Sequence, residues 1–473
     1  MIQILAGVND VAGSNNVHPI GAIAVMFASC AALVVPLRML PLLFIGLAAA
    51  IPATQRIVIA GADFNFVRVL VLFSLARVLA RGELAGIRWN AIDTCVLIGG
   101  VTRTLCFPIA RGSASDFMMS IGSNYELLGV YIVIRCAIRS LDDVRNIAIQ
   151  SAWVTVLVTP FFIIERTTGR NMFSVFGGIA EMTPVRDGRL RCKGAHPHAI
   201  LAGCFFVAFL PLWLGIVIGR PGRERLIALL GIAAMFIIVV CCASSTPLVA
   251  LLLGFGVWVA YPLRSQLRLL WISAIASGFV LHFIMNKPIW HLISRIDLVG
   301  GSTGNHRYRL IDAAIRRFGE WWMLGTAGTA HWGWGLHDVT NQFILEGVRG
   351  GIWAFLAMCG VLVLGYATVG TELRRMANLA AIATKRAAWS SLKRVQTDEA
   401  LIFGVGAALC AQMAIFLAVS YFGQTVVVWQ LLMAVAGSMR QWTSNPIPAQ
   451  SSAVNGGSNP MNPTPRRFRS TRA

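Results

Sequence analysis

The chain has 473 residues, of which 56% are hydrophobic and only 13% charged, and its mean hydropathy is +0.69. This composition excludes a soluble globular protein of this length. The formal net charge of +20 does not indicate a nucleic-acid partner, because most arginines lie between apolar segments, as the positive-inside rule predicts.

Apolar segments of about 16 to 23 residues follow one another along the chain, each long enough to cross about 30 Å of hydrocarbon as a helix. The sequence therefore predicts an all-α fold, a polytopic transmembrane helix bundle of about 12 or 13 spans with a long periplasmic loop containing short helices. The predicted spans are 20–36, 39–53, 64–80, 91–110, 117–138, 146–165, 198–219, 226–243, 246–262, 269–286, 342–369, 401–420 and 424–439.

The spans predict two regions in the chain. Residues 1–440 form the membrane domain, and residues 441–473, rich in Pro, Ser, Asn and Gly, are typical of a disordered cytoplasmic tail. Basic connections recur at 139–145, 220–225, 264–268 and 374–394.

These basic connections are expected on the cytoplasmic side, which places segments 166–197 and 287–341 in the periplasm. Both of those segments are basic as well, against the charge rule, so we expect an anionic ligand there. An inverted topology is the alternative.

The first external segment ends in basic residues and histidines directly before a predicted helix. Arg189, Arg191 and His196 precede Pro197, which fits the first helical turn. A helix N-terminus beside basic side chains favours anion binding. The alternative is that His196 and His198 merely lie at the membrane interface.

The long segment 287–341 contains a predicted helix over about 307–319. Arg309, Asp312 and Arg316 would share one face of it, with Arg307 close by. Arginine offers a permanently charged planar fork that matches phosphate oxygens, so the pattern predicts a diphosphate clamp. A surface helix whose arginines meet lipid headgroups is the alternative.

The end of this segment predicts proton-transfer chemistry. His337 and Asn341 would lie four residues apart on one helical face, with Asp338 as the N-cap. A histidine there could accept a proton or donate hydrogen bonds to a sugar or phosphate. Four tryptophans nearby could stack on sugars or belong to the interfacial belt, namely Trp321, Trp322, Trp332 and Trp334.

A few charges fall inside predicted spans, where they usually face a polar cavity and pair with one another. Arg135 and Glu126 lie in or near span 117–138, and Glu346 and Arg349 lie one turn into span 342–369. Glu346 could serve as a general base. No acidic cluster or metal motif is present in the sequence, so neither a metal nor another cofactor is expected.

Three stretches resemble the bacterial O-antigen ligase and polymerase superfamily of multi-helix inner-membrane proteins. They are residues 194–202 (GAHPHAILA), the arginines Arg307 and Arg309 with the apolar helix behind them, and residues 332–351, which include NQFILEGVRGG.

The resemblance implies an enzyme of the bacterial inner membrane, a metal-independent glycosyltransferase with its active loops in the periplasm. It would transfer a glycan from an undecaprenyl diphosphate donor to a hydroxyl of an acceptor glycan. Arg189, Arg191, Arg307 and Arg309 would hold the diphosphate, with Arg316 behind them, and His196 and Asn341 would bind substrate. His337 or Glu346 would take the acceptor's proton or orient its hydroxyl.

Three functions follow from these expectations. The first is a polymerase that elongates a lipid-linked repeat in O-antigen or exopolysaccharide assembly, with a chain-length regulator or other polysaccharide assembly proteins as candidate partners. The second is an O-antigen ligase whose acceptor is the lipid A core. The third, of another class, is a transporter or flippase for an anionic or lipid-linked solute, in which the same arginines would bind cargo without bond-making.

Overall fold

The computed structural model describes residues 16–59, 62–295 and 304–443, and this part of the chain is almost entirely helical. Eight of its helices are long and apolar enough to cross a membrane, and three shorter apolar helices accompany them. The prediction of an all-α, multi-pass membrane fold is confirmed at this level. The number of 12 or 13 spans stays a prediction, and most of the predicted tail lies outside the described residues.

Every predicted span contains a helix. In chain order the helices are α1 Pro19–Val34, α2 Leu40–Ala50, α3 Phe66–Ala80, α4 Ala91–Arg111, α5 Ala114–Ala137, α6 Leu141–Thr168, α7 Ala199–Val207, α8 Leu210–Gly219, α9 Arg223–Cys242, α10 Ser245–Val259, α11 Leu267–Ile284, α12 Gly304–Arg316, α13 Phe318–Trp321, α14 Gln342–Lys385, α15 Trp389–Ala418 and α16 Val426–Thr443. Two antiparallel hairpins complete the described part, β1 Arg56–Ile59 with β2 Ala62–Asn65, and β3 Val185–Arg186 with β4 Arg189–Leu190.

The basic connections gather at one end of the bundle. Asp398 and Glu399 near the start of α15 bind Arg145 and Arg264 at 3.1 and 2.7 Å, and Thr397 donates to the Gly219 carbonyl at 2.7 Å. These contacts bring three of the predicted cytoplasmic connections together. The side of the membrane they occupy stays a prediction.

The two long segments meet at the other end, which we call the loop end. Gln424, between α15 and α16, donates to the Ala195 carbonyl at 2.7 Å, and Arg307 of α12 donates to the Ala418 carbonyl at 2.9 Å. Asn16 pairs with Arg56, and Thr54 beside it donates to Gly177. The first described residue therefore also lies at the loop end, a position that the sequence did not indicate.

One large apolar core joins α1 to α10 with α14, α15 and α16. Helix α11 lies at the edge of this core: none of its residues is buried, Leu267 packs against the core, and Trp271 lies against Tyr366 with ring centroids 4.8 Å apart. A smaller cluster at the loop end packs α12, α13 and the residues after them against the first turns of α14. The long segment thus folds onto the bundle instead of standing free in solvent.

Two buried ion pairs cross the bundle. Asp93 of α4 binds Arg135 of α5 at 3.1 Å with both side chains only 1% exposed, and Arg68 of α3 binds Glu126 of α5 at 3.1 Å. Arg135 also donates to Ser438 and Gln441 of α16 at 3.1 and 2.9 Å. Arg135 and Glu126 therefore each pair with a charge on another helix, as the sequence predicted for charges within spans.

Helix α14 breaks at Gly351, which has a left-handed φ of 66°. In a regular helix Ile352 N–H would donate to the Val348 carbonyl. Here Thr326 donates to Val348 at 2.9 Å, and Ile352 donates to the Trp322 carbonyl at 2.7 Å. Segment 322–326 of the long loop thus replaces one helical hydrogen bond with two of its own.

Replacing Gly351 with Ala should detach this segment, because a Cβ there would lie 2.3 Å from the Met323 carbonyl oxygen and the positive φ strains any side chain. We expect Gly351→Ala to destabilise the protein by at least about 1 to 3 kcal/mol. Thermal unfolding in detergent measures this.

The matched control is Gly370→Ala in the same helix, where a Cβ would meet no atom within 4 Å. That variant should be neutral or more stable, by up to about 1 kcal/mol, because alanine favours helix. Equal melting temperatures for the two variants would show that the break does not depend on Gly351.

Candidate functional site

Arg307 is a buried cation at the loop end, with 8% of its surface exposed. Its guanidinium donates from Nε to the Ala418 carbonyl at 2.9 Å and from Nη2 to the Thr246 hydroxyl at 2.9 Å. Burial lowers the pKa of Arg307, and among the described residues no carboxylate pairs with it. A buried charge without a counterion is costly, so this arginine is suited to bind an anion.

Arg307 reaches the junction between α9 and α10. Ala243 ends α9 in a left-handed conformation, and Ser244 precedes α10 without a side-chain hydrogen bond to its first turn. The first N–H groups of a helix have no partner within it, and the helix dipole makes that end attractive to anions. Thr246 and Arg307 therefore stand beside a helix N-terminus that no side chain caps.

Arg191 approaches the same junction from the first external segment. Its side chain is half-buried, its Nε is buried without a partner in the described chain, and the next residue, Cys192, donates its N–H to the Cys241 carbonyl near the end of α9 at 3.1 Å. Burial, and next the charge of Arg186, lower the pKa of Arg191. The structure thus places Arg191 near the end of α9 and Arg307 at the start of α10, with no contact between the two side chains among the described residues.

Arg189 lies apart from them, exposed in the short β3–β4 hairpin. The segment behind the hairpin is held by Glu165 at the end of α6. Its buried carboxylate accepts from Thr183 Oγ1 at 3.0 Å and from the backbone N–H groups of Lys193 and Gly194 at 3.0 and 2.9 Å. Sequence reasoning missed Glu165, although an acidic residue at a helix C-terminus is unfavourable there and could have signalled a specific partner.

His196 is fully buried and packs against Phe205 and Phe206, with ring centroids 5.0 and 6.0 Å apart. Neither ring nitrogen has a hydrogen-bond partner in the described chain. Burial lowers the pKa of His196 to about 3. For His198, which accepts from Ile200 N at 3.1 Å, burial and next Arg191 lower the pKa to about 4.

The predicted helix in the long segment is present as α12, from Gly304 to Arg316. Arg316 binds Asp312 at 2.9 Å and is mostly exposed. Arg309 is also exposed, and its Nη2 lies beside Gly333. The arginines of α12 therefore separate into one buried at the α9–α10 junction and two on the outer surface.

Glu320 organises the segment after α12, which the sequence did not indicate. It accepts from Arg317 at 2.7 Å, from His331 at 2.8 Å and from the indole of Trp332 at 2.9 Å. These hydrogen bonds lower the pKa of Glu320 to about 2, and the one from His331 has the largest effect. Trp321 and Trp332 are buried in the small loop-end cluster, whereas Trp334 is 89% exposed.

The prediction that His337 and Asn341 share one helical face is wrong, because α14 begins only at Gln342. Asn341, and not Asp338, is the N-cap: its Oδ1 accepts from Ile344 N at 3.1 Å, and its Nδ2 donates to the Leu417 carbonyl at 3.2 Å. His337 is exposed in the preceding turn. His306 contacts the carbonyl of Asp338 at 3.2 Å and so holds this turn against the start of α12.

Glu346 is buried on the second turn of α14. Its Oε1 accepts from Gln342 at 2.7 Å and from Arg103 of α4 at 3.2 Å. Gln342 in turn accepts from Tyr421 N at 2.7 Å. The structure does not bring His337 and Glu346 into contact within the described chain. Arg103 was missed, although an arginine inside an apolar span is itself a signal.

Taken with the fold, these residues define a class: an all-α, multi-pass membrane protein with a buried arginine, Arg307, at its loop end. In the described ranges there is no group of three or more His, Cys, Asp or Glu side chains that could hold a metal ion. Neither a scan against protein-family models nor a search of curated proteins finds a match for this chain. The likeness to the O-antigen ligase and polymerase superfamily stays a prediction.

The low pKa of His196 predicts an acid-sensitive fold. The unfolded chain takes up a proton near pH 6.5, and the folded chain resists it until about pH 3. Stability is therefore complete above pH 6.5 and falls as the pH drops below it, by roughly 2 kcal/mol at pH 5. Thermal unfolding at pH 5 and pH 7.5 should show this loss, and His196→Leu should reduce it.

Phe205→Leu is the control, because it disturbs packing beside His196 without removing a proton site. It should keep the pH dependence of the wild type. If His196→Leu also keeps it, another group causes the acid sensitivity.

Proposed function

We propose that this protein is a membrane glycan polymerase. It would transfer an oligosaccharide from an undecaprenyl diphosphate carrier to a hydroxyl of an acceptor glycan, on the periplasmic face of a bacterial inner membrane, in O-antigen or exopolysaccharide assembly. The observation that supports this best is Arg307, a buried cation at the start of α10 that no carboxylate pairs with among the described residues.

The diphosphate is the leaving group of such a transfer. As the bond between the anomeric carbon and the diphosphate oxygen breaks, the electron pair stays on that oxygen and negative charge grows. The Arg307 charge, which no described carboxylate neutralises, and the uncapped N–H groups of α10 would stabilise that charge. Arg309, Arg189 and Arg316 would guide the anionic carrier from the surface.

The acceptor hydroxyl must lose a proton as its oxygen bonds to the anomeric carbon. His337 is exposed, lies next to the turn that His306 holds against α12, and would take this proton. Glu346 would act differently: it is bound to Arg103 and Gln342, so we assign it to positioning the first turns of α14.

The test is polymerisation by the purified protein in liposomes, without added metal, from undecaprenyl-diphosphate-linked repeat units. The wild type should form a ladder on a gel. Arg307→Ala should reduce product formation by about 10²- to 10³-fold, the range for loss of one group that stabilises a transition-state charge. Arg309→Ala should weaken it less, because that side chain is exposed.

Arg170→Ala is the matched control, since Arg170 lies in the other long segment and makes only a surface ion pair with Glu181 at 3.8 Å. Arg307→Lys tests charge against hydrogen-bond geometry, and melting temperatures show whether each variant folds. Product only when lipid A core is supplied would make the protein a ligase. No product in either case, with labelled lipid or glycan crossing the bilayer, would replace transfer with transport.

A further inference from the structure

A cleft distinct from the α10 site lies between α4, α5 and α14, and it is open on one side, with about 380 Å³ of empty space within and in front of it. The cleft is lined mostly by polar and charged side chains, although the other faces of its three helices are apolar. Its lining includes Arg103 and Phe107 of α4, Ser120, Ser123 and Asn124 of α5, and Arg349 of α14.

The two arginines of this cleft differ in their partners. Arg103 is neutralised by Glu346 at 3.2 Å. Arg349 makes no ion pair and no hydrogen bond in the described chain, although the charge of Glu346, which is bound to Arg103, also acts on it, and its guanidinium carbon stands 5.8 Å from the centroid of the Phe107 ring. The cleft therefore holds one positive charge in excess, in a setting where an unpaired charge is costly.

The opposite wall supplies hydrogen-bond donors. The Ser120 hydroxyl and the Asn124 amide stand across the cleft from Arg349 and supply donors. A group with several acceptor oxygens and a negative charge would satisfy these donors and the guanidinium together.

The position of the cleft indicates a lipid as the source of that group. Arg349 follows Gln342 by seven residues, about 10 Å along α14, within the outer half of a bilayer about 30 Å thick. The cleft opens beside Met119, which is 52% exposed. Large apolar side chains on the outer faces of the same helices are exposed too, such as Leu105, Ile109 and Ile121 at 49%, 63% and 42%.

We infer that the α4–α5–α14 cleft binds the phosphate group of an anionic membrane lipid, with Arg349 as the charged ligand. Asn124 and Ser120 donate to the phosphate oxygens, and the lipid chains lie along the exposed apolar faces of α4 and α5. The phosphate belongs either to a bilayer phospholipid or to a polyprenyl diphosphate. This inference does not rest on glycan transfer.

Native mass spectrometry of the full-length protein in detergent tests the inference. The protein is titrated separately with phosphatidylglycerol, undecaprenyl diphosphate and phosphatidylcholine. We expect lipid adducts with at least one of the two anionic lipids and fewer with phosphatidylcholine. Arg349→Ala should weaken the anionic adducts by about tenfold or more, the value of one charge-assisted hydrogen bond.

Arg111→Ala is the matched control. Arg111 lies on α4 and, like Arg349, near Phe107, at 5.4 Å, but it is exposed and paired with Asp116 at 3.1 Å. The Arg111→Ala variant should bind lipid as the wild type does. A second variant, Asn124→Ala, should weaken binding by a smaller factor, and gel filtration with thermal unfolding confirms that each variant is folded.

The anionic lipid that forms adducts is identified as the source of the phosphate. Displacement of that lipid by inorganic phosphate or diphosphate alone would identify a soluble source instead. Wild-type binding by folded Arg349→Ala overturns the inference. Equal loss in Arg349→Ala and Arg111→Ala, or equal binding of phosphatidylcholine, also overturns it. Failure of the polymerisation assay leaves this result unaffected, because binding is measured without turnover.

Discussion

The break in α14 leaves backbone groups that need hydrogen-bond partners inside an apolar bundle, and the long loop supplies them. Unsatisfied N–H and carbonyl groups are tolerated poorly at membrane depth, so a broken helix there requires a fixed neighbour. Thr326 and Trp322 meet that requirement at Val348 and Ile352. With this segment fixed, α12 packs against the first turns of α14 and carries Arg307 to the start of α10.

Buried and half-buried arginines in this protein have two different uses. Arg68, Arg135 and Arg103 each bind a carboxylate on another helix, and those pairs hold α3, α4, α5 and α14 in register. Arg307 and Arg349 have no such partner among the described residues. The first group accounts for the architecture, and the second marks the places where an anion from outside the chain would fit.

Helix positions were predictable because the length of each apolar run follows directly from the thickness of a bilayer. The ends of helices were harder to predict. Asp338 and Asn341 are both good N-caps, and only the folded contacts of Asn341 with Ile344 and Leu417 distinguish them. The partner of Glu346 could not be predicted for another reason. Arg103 lies 243 positions earlier in the chain, and residue spacing within one helix carries no information about contacts between distant helices.

Beyond its break at Gly351 helix α14 runs for 34 residues (385 − 351) and α15 has 30, lengths of about 51 and 45 Å, against about 30 Å of hydrocarbon. Their joined ends must therefore stand well beyond the bilayer, while Asp398 and Glu399 hold the base of this hairpin against Arg145 and Arg264. The part of α14 after Gly351 thus contacts Trp322 of the long loop at one end and continues at the other into a helical hairpin outside the hydrocarbon.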